Sequence, residues 1–306
     1  MNRLEVDEIL NLAIMSKTPY IIVEGVDDIR IYEEIAKSAN ISCEVYSVLM
    51  VEGLSGGNDG VIQAMEAIEN LPMPNGKSPK DFVMGVIDCD ARYYRGEMPT
   101  LSTIFSLNLY SIESHFVSKC AIKSCVDQFT RISIVDEVDV ESIYSKVEKS
   151  VSDTYYFSLD ALKNAVDPGY QSVVGFSANA GRRKDINTIA DLQVRKADLD
   201  AFAATWQLTE RIDSLRKFVK GKWLLTAYTE ELFSEFKELA GQCKRSLIKQ
   251  CRMCELDIQS PCLYQIRDGL SKNSLYSVIK DLVSIPDFDY IRDAFKSLSA
   301  TAMAKT

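Results

Sequence analysis

Glu24, Asp88, Asp90 and Glu113 each stand at the end of a short apolar run. Tyr20-Ile21-Ile22-Val23 precedes Glu24-Gly25, residues 82–87 precede Asp88-Cys89-Asp90, and residues 107–112 precede Glu113. One carboxylate in such a place is commonly solvated punctuation. Several in one crevice repel one another, and the arrangement is costly unless a cation neutralises it. Oxygen-only ligands suit magnesium or manganese rather than zinc. An ion held this way polarises a phosphoryl oxygen and activates a water, and a pair of ions can clamp the attacking and leaving oxygens together. The chemistry expected is metal-dependent phosphoryl transfer.

The elements that would position these groups follow from periodicity. Leu4, Ile9, Leu12 and Ala13 fit an opening amphipathic helix that ends before Pro19. The β-branched run at 20–23 reads as a strand, and Ile29, Tyr32, Ile35 and Ala36 as the helix after it. A second strand is expected over 44–49. A glycine-rich loop over 52–60 leads into a helix with Val61, Met65 and Ile68 on one face. Strands at 82–87 and 107–112 complete the pattern. Strands alternating with helices build parallel sheets with right-handed crossovers, and ligands bind outside the carboxyl ends of those strands. All four acidic residues would therefore share one edge. Beyond residue 125 helical periodicity dominates, with strand-like pieces at 132–135 and 172–176 and a joint at 177–187. The fold class expected is α/β, a parallel sheet flanked by helices over residues 1–125, with a mostly helical region over 126–306.

Bulk composition sets limits. Of the 306 residues 46% are hydrophobic and 26% charged, ordinary values for a globular chain. No run approaches the roughly 18 apolar residues of a membrane span, and the acidic opening segment does not resemble a secretion signal. A cytoplasmic protein without a membrane partner is expected. The net charge of −9 excludes a generally basic coat, so any nucleic-acid binding must be local. Eight cysteines scattered over the chain read as reduced thiols.

The segment Val23-Glu24-Gly25-Val26-Asp27-Asp28, the Gly56-Gly57 loop, the Asp88-Cys89-Asp90 pair and the strand order together resemble the TOPRIM domain of topoisomerases, primases and OLD-type nucleases. The likeness covers about the first 120 residues. Tyr110-Ser111-Ile112-Glu113 and Lys220-Gly221-Lys222-Trp223-Leu224 resemble OLD-like nucleases, above all the effector nucleases of PARIS-type anti-phage systems. The resemblance implies that Glu24, Asp88, Asp90 and Glu113 are metal ligands or acid/base groups. It makes Asp28 a second-site ligand and Lys222 a phosphate or transition-state contact delivered by C-terminal helices folding back over the sheet edge. It also implies a toxic endonuclease that cuts tRNA or another nucleic acid. An ABC-type ATPase would restrain it, and a homodimer is a candidate active form. One departure stands out: Ala91-Arg92 follows the Asp-x-Asp pair where topoisomerase-like members often carry a third acid.

Other groups have two readings each. Arg92-Tyr93-Tyr94-Arg95 could stack an unpaired base between flanking cations, or be a loop anchored by two tyrosines. Arg182-Arg183-Lys184 could touch nucleic acid, form a hinge or meet a partner. Without the resemblance, Lys222 reads as a surface lysine at a helix start. Cys251-x-x-Cys254 has zinc-ligand spacing. The stripe Cys243, Leu247, Cys251, Cys254 and Ile258 instead suggests one apolar helix face, so zinc is not expected. His115, the only histidine, is expected to cap or pack near Glu113. Two rival functions are an Asp-x-Asp glycosyltransferase, which leaves Glu24 and Glu113 unexplained, and a non-catalytic TOPRIM-like scaffold for an ATPase.

Overall fold

The computed structural model describes residues 3–73, 76–132, 138–258 and 261–304. The chain divides into two compact units, Met1–Asn108 with Val283–Thr306, and Leu109–Leu282. The first contains α1 (Val6–Ser16), β1 (Tyr20–Val23), α2 (Val26–Ser38), β2 (Glu44–Ser47), α3 (Asn58–Glu69), β3 (Val83–Ile87), α4 (Arg92–Arg95) and β4 (Ile104–Ser106). The second contains α5 (Ile112–His115), α6 (Lys119–Phe129), α7 (Val140–Val151), α8 (Thr154–Val166), α9 (Ile186–Val194), α10 (Lys196–Trp206), α11 (Ile212–Phe218), α12 (Gly221–Lys244), α13 (Arg252–Glu255) and α14 (Lys272–Lys280). The final helix, α15 (Asp289–Ala304), belongs to the first unit.

The first unit is built on a four-stranded sheet in the order β2-β1-β3-β4, every pairing parallel. From β1 the chain moves outward to β2, then crosses back over β1 to β3. Right-handed crossovers in these opposite directions require α2 on one face and α3 on the other. Packing agrees, since α1 and α3 share a core with Tyr20, Ile22, Val83 and Ile87. On α2, Tyr32 meets Phe295 of α15. All four residues of β1 are buried, which is why its sequence is continuously apolar rather than alternating. Gly85 lets α3 approach β3, for a Cβ there would lie 2.6 Å from Met65 Cγ and 2.9 Å from Val61 Cγ1.

Three local expectations are corrected. The last strand is 104–106 rather than 107–112, because after Leu107 the backbone N–H groups turn to other partners. That of Asn108 donates to the Tyr290 hydroxyl and that of Tyr110 to the Arg216 carbonyl. Glu113 therefore lies in the first turn of a short helix, not at a strand end. Residues 172–176 form no strand, and the segment 133–135 of the other expected strand lies outside the described residues. The helix expected across Cys243 and Ile258 ends at Lys244, and Leu247 and Ile258 are exposed. The C-terminal 24 residues also group with the sheet rather than with the helical region: Tyr290 stacks on Phe105 and Ala302 enters the core of the first unit.

In the second unit α12 is the central helix. Its first turns are apolar nearly all round, with Trp223, Leu224, Leu225, Ala227, Tyr228 and Leu232 buried. Phe236 packs on Phe129 of α6, and the Tyr228 hydroxyl donates to the Ser118 carbonyl.

Gly85→Ala tests the sheet unit. Overpacking against α3 should cost about 1–3 kcal/mol in urea unfolding; unchanged stability would show that α3 is not seated on β3.

Candidate metal centre

The register Ile22↔Gly85 between β1 and β3 brings the carboxyl ends of the two strands level, with Glu24 beside Asp88. This is also where the chain leaves β1 in one direction and β3 lies in the other, the switch point at which parallel sheets open a crevice. The Asp88 backbone N–H donates to Glu24 Oε1 at 3.1 Å and to Asn58 Oδ1 at 3.0 Å. Asn58 Nδ2 in turn donates to the Asp88 carbonyl at 3.3 Å and to Asp90 Oδ2 at 2.9 Å. One buried amide, at the start of α3, thus links Asp88 to Asp90, and Glu24 joins them through the Asp88 N–H.

The supporting loops have local causes. Gly57, at φ +88°, carries the chain into α3, and its N–H donates to the Glu24 carbonyl. A Cβ on Gly60 would stand 1.8 Å from the Ser55 carbonyl oxygen, so the tight turn over 55–60 admits only glycine there. Asp90 adopts φ +40°, and its Oδ1 accepts the Arg92 N–H in an Asx turn that launches α4. Asp28 accepts the Gly25 N–H at 3.0 Å and closes the N-terminus of α2.

Negative charge converges on the crevice. Burial first, then Asp88, Asp28, Tyr290 and Glu24, push the Tyr32 phenol well above its usual range. Burial, then Asp90 and Asp88, push the Cys89 thiol up to about 11. Glu24, Asp88 and Asp90 are each half-exposed and supply only oxygen. Such a donor set fits a hard divalent cation such as magnesium or manganese. The structure thus brings Glu24, Asp88 and Asp90 together in the first unit, with Asp28 close enough to act on the same phenol.

The remaining expected site residues belong to the second unit or have other partners. Arg92 pairs with Asp59 at 2.6 Å and Arg95 with Glu97 at 2.7 Å. Tyr93 is exposed and Tyr94 buried beneath it, edge to face. Glu113 and Lys222 belong to the second unit. There Glu113 is buried, accepts from the Ser111 hydroxyl at 2.6 Å, and lies against Gly221, where a Cβ would be 3.0 Å from Glu113 Oε2. The N-terminus of α12 favours that negative charge. Lys222 is exposed in the first turn of α12. Its neighbour Lys220 donates to the Phe176 carbonyl at 2.7 Å, and burial, then Lys222, lower its pKa against the opposing pull of Glu113. His115 is buried and its Nδ1 donates to the Ser111 carbonyl. Arg182 is exposed. Arg183 is buried in ion pairs with Asp153 and Glu230, so its guanidinium is committed within the unit rather than offered to nucleic acid.

Asn58 is the site residue that sequence reasoning misses; the only signal is a polar residue placed between Gly57 and a helix at a strand's carboxyl end. Asn58→Ala should cost about 1–3 kcal/mol in urea unfolding by removing the amide's hydrogen bonds to the Asp88 backbone and to Asp90. It should also weaken manganese binding in a titration, because Asp90 loses its tether. Equal stability and equal affinity would make the amide a bystander. In the second unit, burial opposes but Lys272 and Arg183 prevail in lowering Glu230 to about 2. A depressed carboxylate stabilises fully above its unfolded value of about 4.3 and loses that contribution as pH falls towards 2. Glu230→Gln should therefore cost about 1–2 kcal/mol at pH 7 in denaturant melts, with the difference shrinking below about pH 4; a pH-independent difference would contradict the pairing. No protein-family model matches the chain, and no curated protein matches it significantly.

Proposed function

We propose that this chain is a magnesium-dependent phosphodiesterase, an OLD-like TOPRIM endonuclease that cuts RNA, with tRNA as the favoured substrate class. The observation that carries the reading is the convergence of Glu24, Asp88 and Asp90 around one backbone N–H and one buried amide at the β1–β3 switch point. Glu24 and Asp88 would hold the ion and Asp90, positioned by Asn58, would complete the oxygen set. Magnesium or manganese bound there would supply the positive charge that phosphoryl transfer needs and would activate water. The protein's own contribution is positioning: the Glu24 and Asp90 carboxylates accept hydrogen bonds from the Asp88 N–H, Asn58 and the Arg92 N–H, and Asp88 follows directly on β3.

By the resemblance in its motifs, Glu113 is a further ligand or acid/base group and Lys222 a contact to the phosphoryl group. Asp28 is assigned to a second ion, although its bond to Gly25 already gives it a structural task. The same resemblance makes the chain a cytoplasmic toxic effector of phage defence, restrained by an ABC-type ATPase and able to act as a homodimer.

Purified protein incubated with total RNA and with plasmid, with and without magnesium, tests the assignment. RNA cleavage that stops on chelation is expected, and Glu24→Gln and Asp88→Asn should each reduce it on the order of 10²-fold or more without unfolding the protein. Lys222→Ala should lower turnover with nearly unchanged magnesium affinity. Undiminished cleavage by Glu24→Gln would reject the site. Absence of cleavage of either polymer by the unrestrained protein would favour the scaffold.

A further inference from the structure

The second unit contains a long connection between α12 and α14, residues 245–271, whose only helix among the described residues is the single turn α13. Connections of this length without structure of their own are uncommon in compact domains and need something to order them. Hydrophobic burial is limited here: Tyr264 is buried, but Leu247 is 66% exposed, Leu256 68% and Ile258 45%. Beside Tyr264, what the segment turns inward is thiol. Cys251 and Cys262 are buried, Cys254 is half-buried, and Cys243 reaches them from the last turn of α12.

The Sγ atoms of Cys243, Cys251, Cys254 and Cys262 all lie within 4.8 Å of one another. Those of Cys251 and Cys262 are 3.7 Å apart. A tetrahedral zinc with bonds of about 2.3 Å sets its sulfurs roughly 3.8 Å apart. The separation is far beyond the ~2.05 Å of a disulfide. Backbone N–H groups also point at sulfur, Cys251 N–H at Cys243 Sγ (3.2 Å) and Leu263 N–H at Cys251 Sγ (3.4 Å). Such N–H···S bonds orient thiolate ligands and spread their charge.

We infer that Cys243, Cys251, Cys254 and Cys262 bind one structural zinc ion, which fastens the 245–271 connection to the end of α12. The four ligands close the coordination sphere and leave no position for substrate, so the ion is structural. Its effect extends along the chain: directly after Cys262, Leu263 accepts from the Arg131 N–H and the Arg267 N–H donates to Phe129, an antiparallel bridge to the end of α6. Zinc binding replaces the thiol protons, so retention of the metal requires a pH high enough to keep the four sulfurs as thiolates.

Elemental analysis of the full chain after gel filtration should find stoichiometric zinc. Cobalt supplied in its place should give thiolate-to-cobalt charge-transfer absorption in the near ultraviolet and the intense red-region bands of a tetrahedral ion. Cys254→Ser should lose the metal and melt at lower temperature, whereas Cys120→Ser, exposed and outside the cluster, should keep both metal and melting temperature. If Cys254→Ser does not fold, the wild-type metal content and cobalt spectrum still decide. Wild-type protein without bound zinc and with all four thiols reactive towards a thiol reagent in the native state would overturn the inference, as would a Cys251–Cys262 disulfide or stoichiometric iron.

Discussion

The pairing of β1 with β3 is the constraint on which the candidate centre depends. Parallel alignment in the register Ile22↔Gly85 makes Glu24 and Asp88 neighbours although 64 positions separate them in the chain. The remaining features of the sheet unit allow that pairing to form. A glycine at position 85 makes room for α3, a glycine turn brings the start of α3 back to the strand ends, and Asn58 shares the Asp88 N–H with Glu24 and donates to the Asp88 carbonyl where the strand stops. The same amide donates to Asp90, so fold stability and site geometry share one side chain.

Much of this was legible from residue order. The β-branched run over 20–23 marks a strand buried on both faces, and the 3.6-residue periods of α2 and α3 mark the crossovers. Placing Glu24, Asp88 and Asp90 on one edge required only the rule that parallel strands present their carboxyl ends together. Asn58 was not legible, because its partners lie some thirty residues away and nothing local distinguishes it from an ordinary residue at the start of a helix. Glu113 was misplaced for a related reason: the Asn108 and Tyr110 N–H groups are claimed by Tyr290 and Arg216, residues far along the chain.

The cysteines illustrate a different limit. A helical period runs through Cys243, Leu247, Cys251, Cys254 and Ile258, yet the helix stops at Lys244. Ser246 then takes φ +58° and Asp257 φ +50°, left-handed turns made without the glycine that usually announces them. Periodicity therefore suggests a packed face where the chain instead wraps four sulfurs around one point. Among the described residues no helix is long and apolar enough to cross a membrane.

Glu24, Asp88 and Asp90 form the center of the functional account, and a diffraction experiment addresses them without depending on knowledge of the substrate. Crystals soaked in manganese and measured at its absorption edge should show an anomalous peak bounded by the carboxylates of Glu24 and Asp88, absent in Asp88→Asn. A crevice without a peak at manganese concentrations that saturate ordinary magnesium enzymes, or a peak that persists unchanged in Asp88→Asn, would contradict the account.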